Sequence, residues 1–206
     1  MTDVGGREHW EEIYAEKGEH QVSWFQESPA ISLDLIRAVG ATQGSAIIDI
    51  GGGASRLVDA LIAENCTDIT VLDLSKAAMQ IAKARLGGRA TAVTWIDTDV
   101  TEWQPTRLYD VWHDRAAFHF LTQPADRAAY VARLTKALRP GGHAIIGTFA
   151  LDGPERCSGL PVVRYDAVHL SATLGGGFTF VETRRHDHKT PWDATQRFQF
   201  SVYRRV

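Results

Sequence analysis

The sequence predicts an α/β fold organised around a mostly parallel sheet. Three observations carry that expectation. From Ala46 to Tyr203 short aliphatic or β-branched runs alternate with segments of helical period, the pattern that βαβ units produce. Glycines punctuate the junctions between them. The 206 residues are 44% hydrophobic and 23% charged, the composition of a soluble globular core and not of a disordered chain.

The elements follow in order. Trp10 and Tyr14 lie one helical turn apart in an amino-terminal section, and Ser28-Pro29 opens an amphipathic helix behind them. Ala46-Ile47-Ile48-Asp49-Ile50 reads as a strand ending in glycines, and apolar residues one turn apart in Arg56–Ile62 read as the helix after it. Ile69–Leu72 makes a second strand. Ser75 caps the alanine-rich helix that follows through Arg85 and stops at Gly87-Gly88. Ala92–Ile96 and Leu108–Trp112 are the next strands. A helix from about Asp126 to Leu138 ends at Arg139-Pro140-Gly141-Gly142, before a fifth strand, Ala144–Phe149. After a short helix from Asp166 to Leu174 come two alternating stretches, Phe178–Thr183 and Arg197–Tyr203, expected to pair antiparallel at the end of the sheet. No repeat or linker interrupts the chain, which reads as one domain over residues 1–206, an amino-terminal helical cover (1–40) on an α/β core (41–206).

Charge and composition narrow the partners. Twenty-two basic against 25 acidic residues give a net charge of −3, without the positive excess that draws a chain to nucleic acid or anionic lipid. No apolar stretch approaches the roughly 18 residues needed to span a bilayer, and the opening residues Met1–Glu8 lack the apolar run of a leader. Cys66 and Cys157 cannot build a disulfide scaffold. A cytoplasmic location is the expectation.

Asp49-Ile50-Gly51-Gly52-Gly53-Ala54-Ser55 sits where a strand turns into a helix, and bare glycines there let a ligand approach the backbone. A structural turn needs glycine too. Asp73, at the end of the second strand and about 20 residues further on, can accept both hydroxyls of a ribose. A dinucleotide and a differently substituted adenosine both fit these two features. Asp49 separates them, because its charge beside the turn opposes a pyrophosphate and suits a ligand bearing an ammonium group.

These residues resemble the first two motifs of class I S-adenosylmethionine-dependent methyltransferases. Asp49, Gly51 and Gly53 match the acidic-x-Gly-x-Gly motif, and Asp73 matches the ribose carboxylate, with Leu74 beside it. Asp97-Thr98-Asp99-Val100 is similar to the adenine-binding segment, Asp99 matching the acceptor of the adenine amino group. Tyr109–Arg115 resembles the motif bordering the methyl group, and Leu138–Gly142 the turn before the fifth strand. Ser55 replaces a frequent third glycine and can cap the helix. The resemblance implies a Rossmann-like seven-stranded, mostly parallel sheet with an antiparallel C-terminal strand and helices on both faces. It also implies S-adenosyl-L-methionine as cofactor, with S-adenosyl-L-homocysteine as product.

In-line methyl transfer leaves acceptor positioning and proton removal to the protein. His113, Asp114 and His119 follow the fourth strand at the carboxyl edge of the sheet, where a histidine can serve as general base. The alternative is that His119 packs into the core and Asp114 pairs with Arg115. Tyr14 and Trp24 are expected over the cofactor, where aromatic faces exclude water from a sulfonium; the alternative is that Trp10 and Tyr14 are the buried stripe of a helix, with Trp24 outside it. Cys157 and His188 are placed in the acceptor pocket. Cys157 would serve as a thiolate toward a soft acceptor or as an inert buried thiol. His186 and His188 share a strand face at metal-ligand spacing but lack a third ligand other than His169, so no metal is assigned. The expected activity is methyl transfer to a small molecule through O, N, S or a metalloid. Protein lysine methylation, a non-catalytic S-adenosylmethionine-binding module and a nicotinamide dehydrogenase are the rivals.

Overall fold

The structure, a computed structural model, describes residues 6–206; positions 1–5, part of the segment read above as lacking a leader, lie outside the described residues. Parallel pairing joins β1 (Ala46–Ile50) to β2 (Asp68–Asp73) and β4 (Tyr109–Arg115), β2 to β3 (Val93–Asp97), and β4 to β5 (Leu138–Phe149). A minor hairpin, β6 (Arg156–Cys157) and β7 (Leu160–Pro161), stands apart. The long strands β8 (Phe178–Lys189) and β9 (Thr195–Arg205) close the sheet, β9 running antiparallel to β5 and to β8. The order is β3-β2-β1-β4-β5-β9-β8. Chain direction across the sheet reverses between β1 and β4, and their carboxyl ends open a crevice of the kind that binds ligands in such sheets.

Both faces of the central strands are covered, which is why β1 is buried along its length and apolar except at Asp49. The period of two divides its neighbours between two cores. Ile48, Ile50 and Trp112 pack with Tyr130 and Leu134 of α5 (Pro124–Ala137) and with Leu170 of α6 (Ala167–Leu174). Ile47, Val111 and Ile145 pack on the other face with Leu35 of α2 (Ala30–Ala38) and Leu57 and Leu61 of α3 (Leu57–Ala63). Caps set several helix ends. The Ser75 hydroxyl accepts from Ala78 N at 3.1 Å to open α4 (Lys76–Leu86), and Gly87, at φ +58°, closes it. The remaining helix, α1 (Arg7–Glu16), lies against α4: Glu11 accepts from the backbone N–H groups of Lys76 and Ala77, and Arg7 pairs with Asp97.

Three element boundaries differ from expectation. β5 starts at Leu138, six residues early, because Tyr109 pairs with Leu138 before the register shifts to Val111 opposite His143. Arg139–Gly142 therefore forms an irregularity within the strand. β8 continues to Lys189 because β9 supplies a partner for its whole length. The β6–β7 hairpin is too short for any periodic signal. Among the described residues no helix is long and apolar enough to cross a membrane.

Candidate functional site

At the tip of β1 the chain bends through Gly51, at φ +66°, whose N–H donates to Leu72 O at 2.8 Å. A Cβ on Gly52 would lie 2.6 Å from Asp49 Oδ2, and one on Gly53 would lie 2.6 Å from Asp73 Oδ2. The two carboxylates thus press directly against the turn, and only glycine fits. Asp49 is 3% exposed. His113 donates from Nδ1 to Asp49 Oδ1 at 2.7 Å, and its Nε2 meets the Ser32 hydroxyl at 2.9 Å. The other oxygen, Asp49 Oδ2, is buried with no hydrogen-bond partner. An unpaired carboxylate oxygen in such a place is costly unless a cationic donor completes it.

Asp73 takes one hydrogen bond from Ser75 N at 2.7 Å. Burial, reinforced by the charges of Asp49 and Glu11, pushes its carboxyl up to about 7 against the backbone donors of Ser75 and Gly53. Leu74 follows at the strand end, half-buried. Asp99 accepts at Oδ1 from both the N–H and the hydroxyl of Thr101, each at 2.7 Å, which shapes the loop after β3; Val100 beside it is buried in the core.

The amino-terminal section closes over the turn. A cleft there is lined by Tyr14, Trp24, Asp49, Gly51, Ser55, Arg56, His113 and Arg115, among others. Trp24 Nε1 donates to the Tyr14 hydroxyl at 2.9 Å, and Trp10 meets Trp24 and Phe120 edge-on at 5.5 and 5.0 Å. Burial holds the Tyr14 phenol protonated, well above its ordinary range. A charge cluster ties cover and core together. Arg85 of α4 donates to Ala54 O and Ser55 O, and pairs with Asp59 and with Glu19, which also meets Arg56. Burial by itself would raise the Glu19 carboxyl, but Arg56 and Arg85 outweigh it and hold it below its usual value.

The remaining sequence-predicted residues stand differently. Asp114 does not pair with Arg115. It accepts from Tyr130 Oη at 2.7 Å and from the N–H groups of Ala117 and Phe118, fastening the loop after β4 from the opposite face. His119 is absent from the cleft wall: it is fully buried against Phe120 and Phe149, accepts at Nδ1 from Phe149 N at 3.3 Å, and burial with the Arg115 charge drives it down to about 3. His119 is thus packed as the alternative reading had it, a weak proton acceptor set back from the cleft, while Asp114 holds the loop instead of pairing with Arg115. Cys157 is a thiol, not a thiolate, because burial raises it to about 11 despite a Ser23 hydrogen bond and the Arg115 charge. His188, lowered to about 4 by burial and by Arg115, meets Ser23 O from Nε2 at 2.7 Å and so pins the cover to the β8–β9 edge. His169 pairs with Asp166 at the start of α6, and among the described residues no three His, Cys, Asp or Glu side chains converge as a metal site.

Arg56, Glu19, Ser32 and Arg85 escaped the sequence reading, and Arg115 entered it only as a partner for Asp114, since a lone polar or charged residue carries no periodic signal. Arg115 alone had a hint in its place at the end of the fourth-strand motif.

Residues 48–144 match the family described as "Methyltransferase domain". That segment, just under half of the chain, is similar to methyltransferases. Its curated relatives include nodulation protein S of Rhizobium tropici, 25% identical over 49% of this chain and 42% of the relative. Malonyl-[acyl-carrier protein] O-methyltransferase of Anoxybacillus flavithermus is 30% identical over 50% and 38%. The chain spans less than half the length of either relative. In fold it resembles the 1,6-didemethyltoxoflavin-N1-methyltransferase of Burkholderia thailandensis, solved with its substrate and S-adenosylhomocysteine (TM-score 0.77, 21% identity, 97% of this chain and 87% of that one). It also resembles N-methyltransferase NodS from Bradyrhizobium japonicum WM9 in complex with S-adenosylhomocysteine (TM-score 0.71, 18% identity, 95% and 97%). The sheet is the Rossmann-like one that the motifs imply.

Proposed function

We propose that the chain is an S-adenosylmethionine-dependent methyltransferase that acts on a small-molecule acceptor. The observation that carries this is Asp49 Oδ2, a buried carboxylate oxygen without a partner, at a turn where neither Gly52 nor Gly53 has room for a Cβ. When bound, S-adenosylmethionine supplies an electrophilic methyl group on a sulfonium. The residues present fit it. Asp49 offers an acceptor to an ammonium, and His113, itself braced by Ser32, holds that carboxylate in place. Asp73 offers an acceptor to ribose hydroxyls, while Gly51 and Gly53 allow close approach. Asp99 and Val100 border the adenine end, and Ser55 stays at the start of α3, its hydroxyl accepting from Leu57 N at 3.1 Å. Tyr14 and Trp24 shield the cleft from water and present aromatic faces to a cation.

His113 lines the cleft, but Asp49 and Ser32 engage both ring nitrogens, so it positions and does not remove a proton. With His119 and Asp114 withdrawn, the described residues leave acceptor orientation as the protein's principal contribution, a role worth several orders of magnitude in rate for a displacement of this geometry. The similarity to a ubiquinone biosynthesis O-methyltransferase and to an N-methyltransferase solved with 1,6-didemethyltoxoflavin supports a small acceptor. Calorimetry with S-adenosylhomocysteine and with NAD tests the cofactor: preference for NAD overturns the proposal. Transfer of labelled methyl from S-adenosylmethionine to a panel of carboxylates, phenols, amines and thiols tests the acceptor. Label appearing only in protein would replace a small acceptor by a protein lysine, and tight binding with no transfer to anything would make the chain a binding module.

A further inference from the structure

Arg115 ends β4 on the cleft wall. Its Nη1 donates to Trp24 O at 3.0 Å and its guanidinium lies over the Phe198 ring at 5.1 Å. Nε and Nη2 are closed off from solvent and have no hydrogen-bond partner. These two nitrogens form one edge of the planar group, with parallel N–H bonds spaced to receive both oxygens of a carboxylate. Among the described residues no carboxylate forms an ion pair with it: Asp114 is committed to Tyr130, and Asp49, joined to His113, acts on it through charge alone. A buried cation with two idle donors is expensive, and an anionic ligand removes that cost.

The surroundings say which ligand. Asp73, on β2, marks the ribose end of the cleft. Arg115 is two strands away on the side of β5 and β9, where Phe198, Cys157 and Ser23 surround it. Burial lowers its guanidinium only to about 10, so it is charged at neutral pH.

Resting on the methyltransferase reading, we infer that the acceptor carries a carboxylate, held side-on by Nε and Nη2 of Arg115, with Cys157, Ser23 and Phe198 forming the uncharged wall around it. The cofactor's own carboxylate is the competing source of the same chemistry, and the test separates the two.

The protein saturated with S-adenosylhomocysteine is titrated with acetate and benzoate, and with the neutral acetamide and benzamide, following the Trp24 indole N–H resonance. The acids are expected to bind at least tenfold more tightly than their amides. R115M is expected to abolish that preference and R115K to retain part of it, with S-adenosylhomocysteine affinity within twofold of wild type in both. Equal binding of acids and amides to the wild-type complex, or binding of neither, overturns the inference without recourse to a variant. A tenfold loss of S-adenosylhomocysteine affinity in R115M also overturns it, by assigning Arg115 to the cofactor carboxylate. Failure of the wild-type protein to bind S-adenosylhomocysteine at all would remove the methyltransferase reading and this inference with it.

Discussion

Asp49 and Asp73 press on the same three-glycine bend from two strands, and in the proposed reading each answers a different part of a nucleoside that carries an amino acid. Asp73 has spare acceptor capacity, since Ser75 N occupies Oδ1. Asp73→Ala should therefore weaken S-adenosylhomocysteine binding by about 1 to 3 kcal/mol through lost charge-assisted hydrogen bonds; unchanged affinity by calorimetry would move the ribose elsewhere. Gly52 tests the bend itself. In Gly52→Ala the new Cβ would meet Asp49 Oδ2 at 2.6 Å and Val71 Cγ1 at 3.0 Å, both in packed surroundings. Overpacking of that kind costs about 1 to 3 kcal/mol, so the midpoint in urea should fall and S-adenosylhomocysteine affinity with it. A variant with wild-type stability and binding would show that the carboxylate yields freely. His119 illustrates the opposite lesson. Its position in the sequence fits a catalytic base, but desolvation decides its chemistry, and no local pattern reports how deeply a side chain is enclosed.

At the scale of elements, the cover is fastened by charge more than by apolar area. Ile13 is the sole buried residue of α1, whereas Glu11 caps α4 and Glu19 bridges Arg56 and Arg85. Because Glu19 is held below its ordinary pKa, its contribution is present at neutral pH and is lost as pH falls through that lowered value. Glu19→Gln should loosen the segment from Arg7 to Gln26, raising its amide hydrogen exchange while β1, β4 and β5 keep theirs. Unaltered exchange in the cover would show that the Trp10, Trp24 and Phe120 contacts suffice. The cap of α4 was legible in the sequence because Ser75 acts on backbone three residues away. The early start of β5 and the length of β8 were not, since a strand's extent depends on a partner distant in the chain.

For the molecule as a whole, buried groups with opposed shifts govern the response to pH. Asp73 and Asp114, raised to about 7 and about 6 by burial, favour the folded state when protonated, so their contribution declines as pH rises from the ordinary carboxylate range through those values. His119 and His188, lowered to about 3 and about 4, contribute stability that is complete above the ordinary histidine pKa and is lost as pH falls toward those values. The two trends partly cancel in mildly acidic solution. A ligand whose hydroxyls require ionised Asp73 breaks the balance, releasing a proton below pH 7. The rise in melting temperature caused by saturating S-adenosylhomocysteine should accordingly be larger at pH 7.5 than at pH 5, and Asp73→Ala should flatten the difference. Equal rises at both pH values in the wild-type protein would mean that Asp73 binds no part of the ligand.

Local pattern was enough to reveal the parallel core, the glycine bend between Asp49 and Asp73, and hence the methyltransferase resemblance, because strand period, helix caps and tight turns act over a few residues. The idle edge of Arg115, the enclosure of His119 and the engagement of His113 by Asp49 and Ser32 emerged only in three dimensions. Each depends on side chains brought together from distant segments and on the removal of water from around them, and neither partner choice nor dielectric environment is written in the spacing of neighbouring residues.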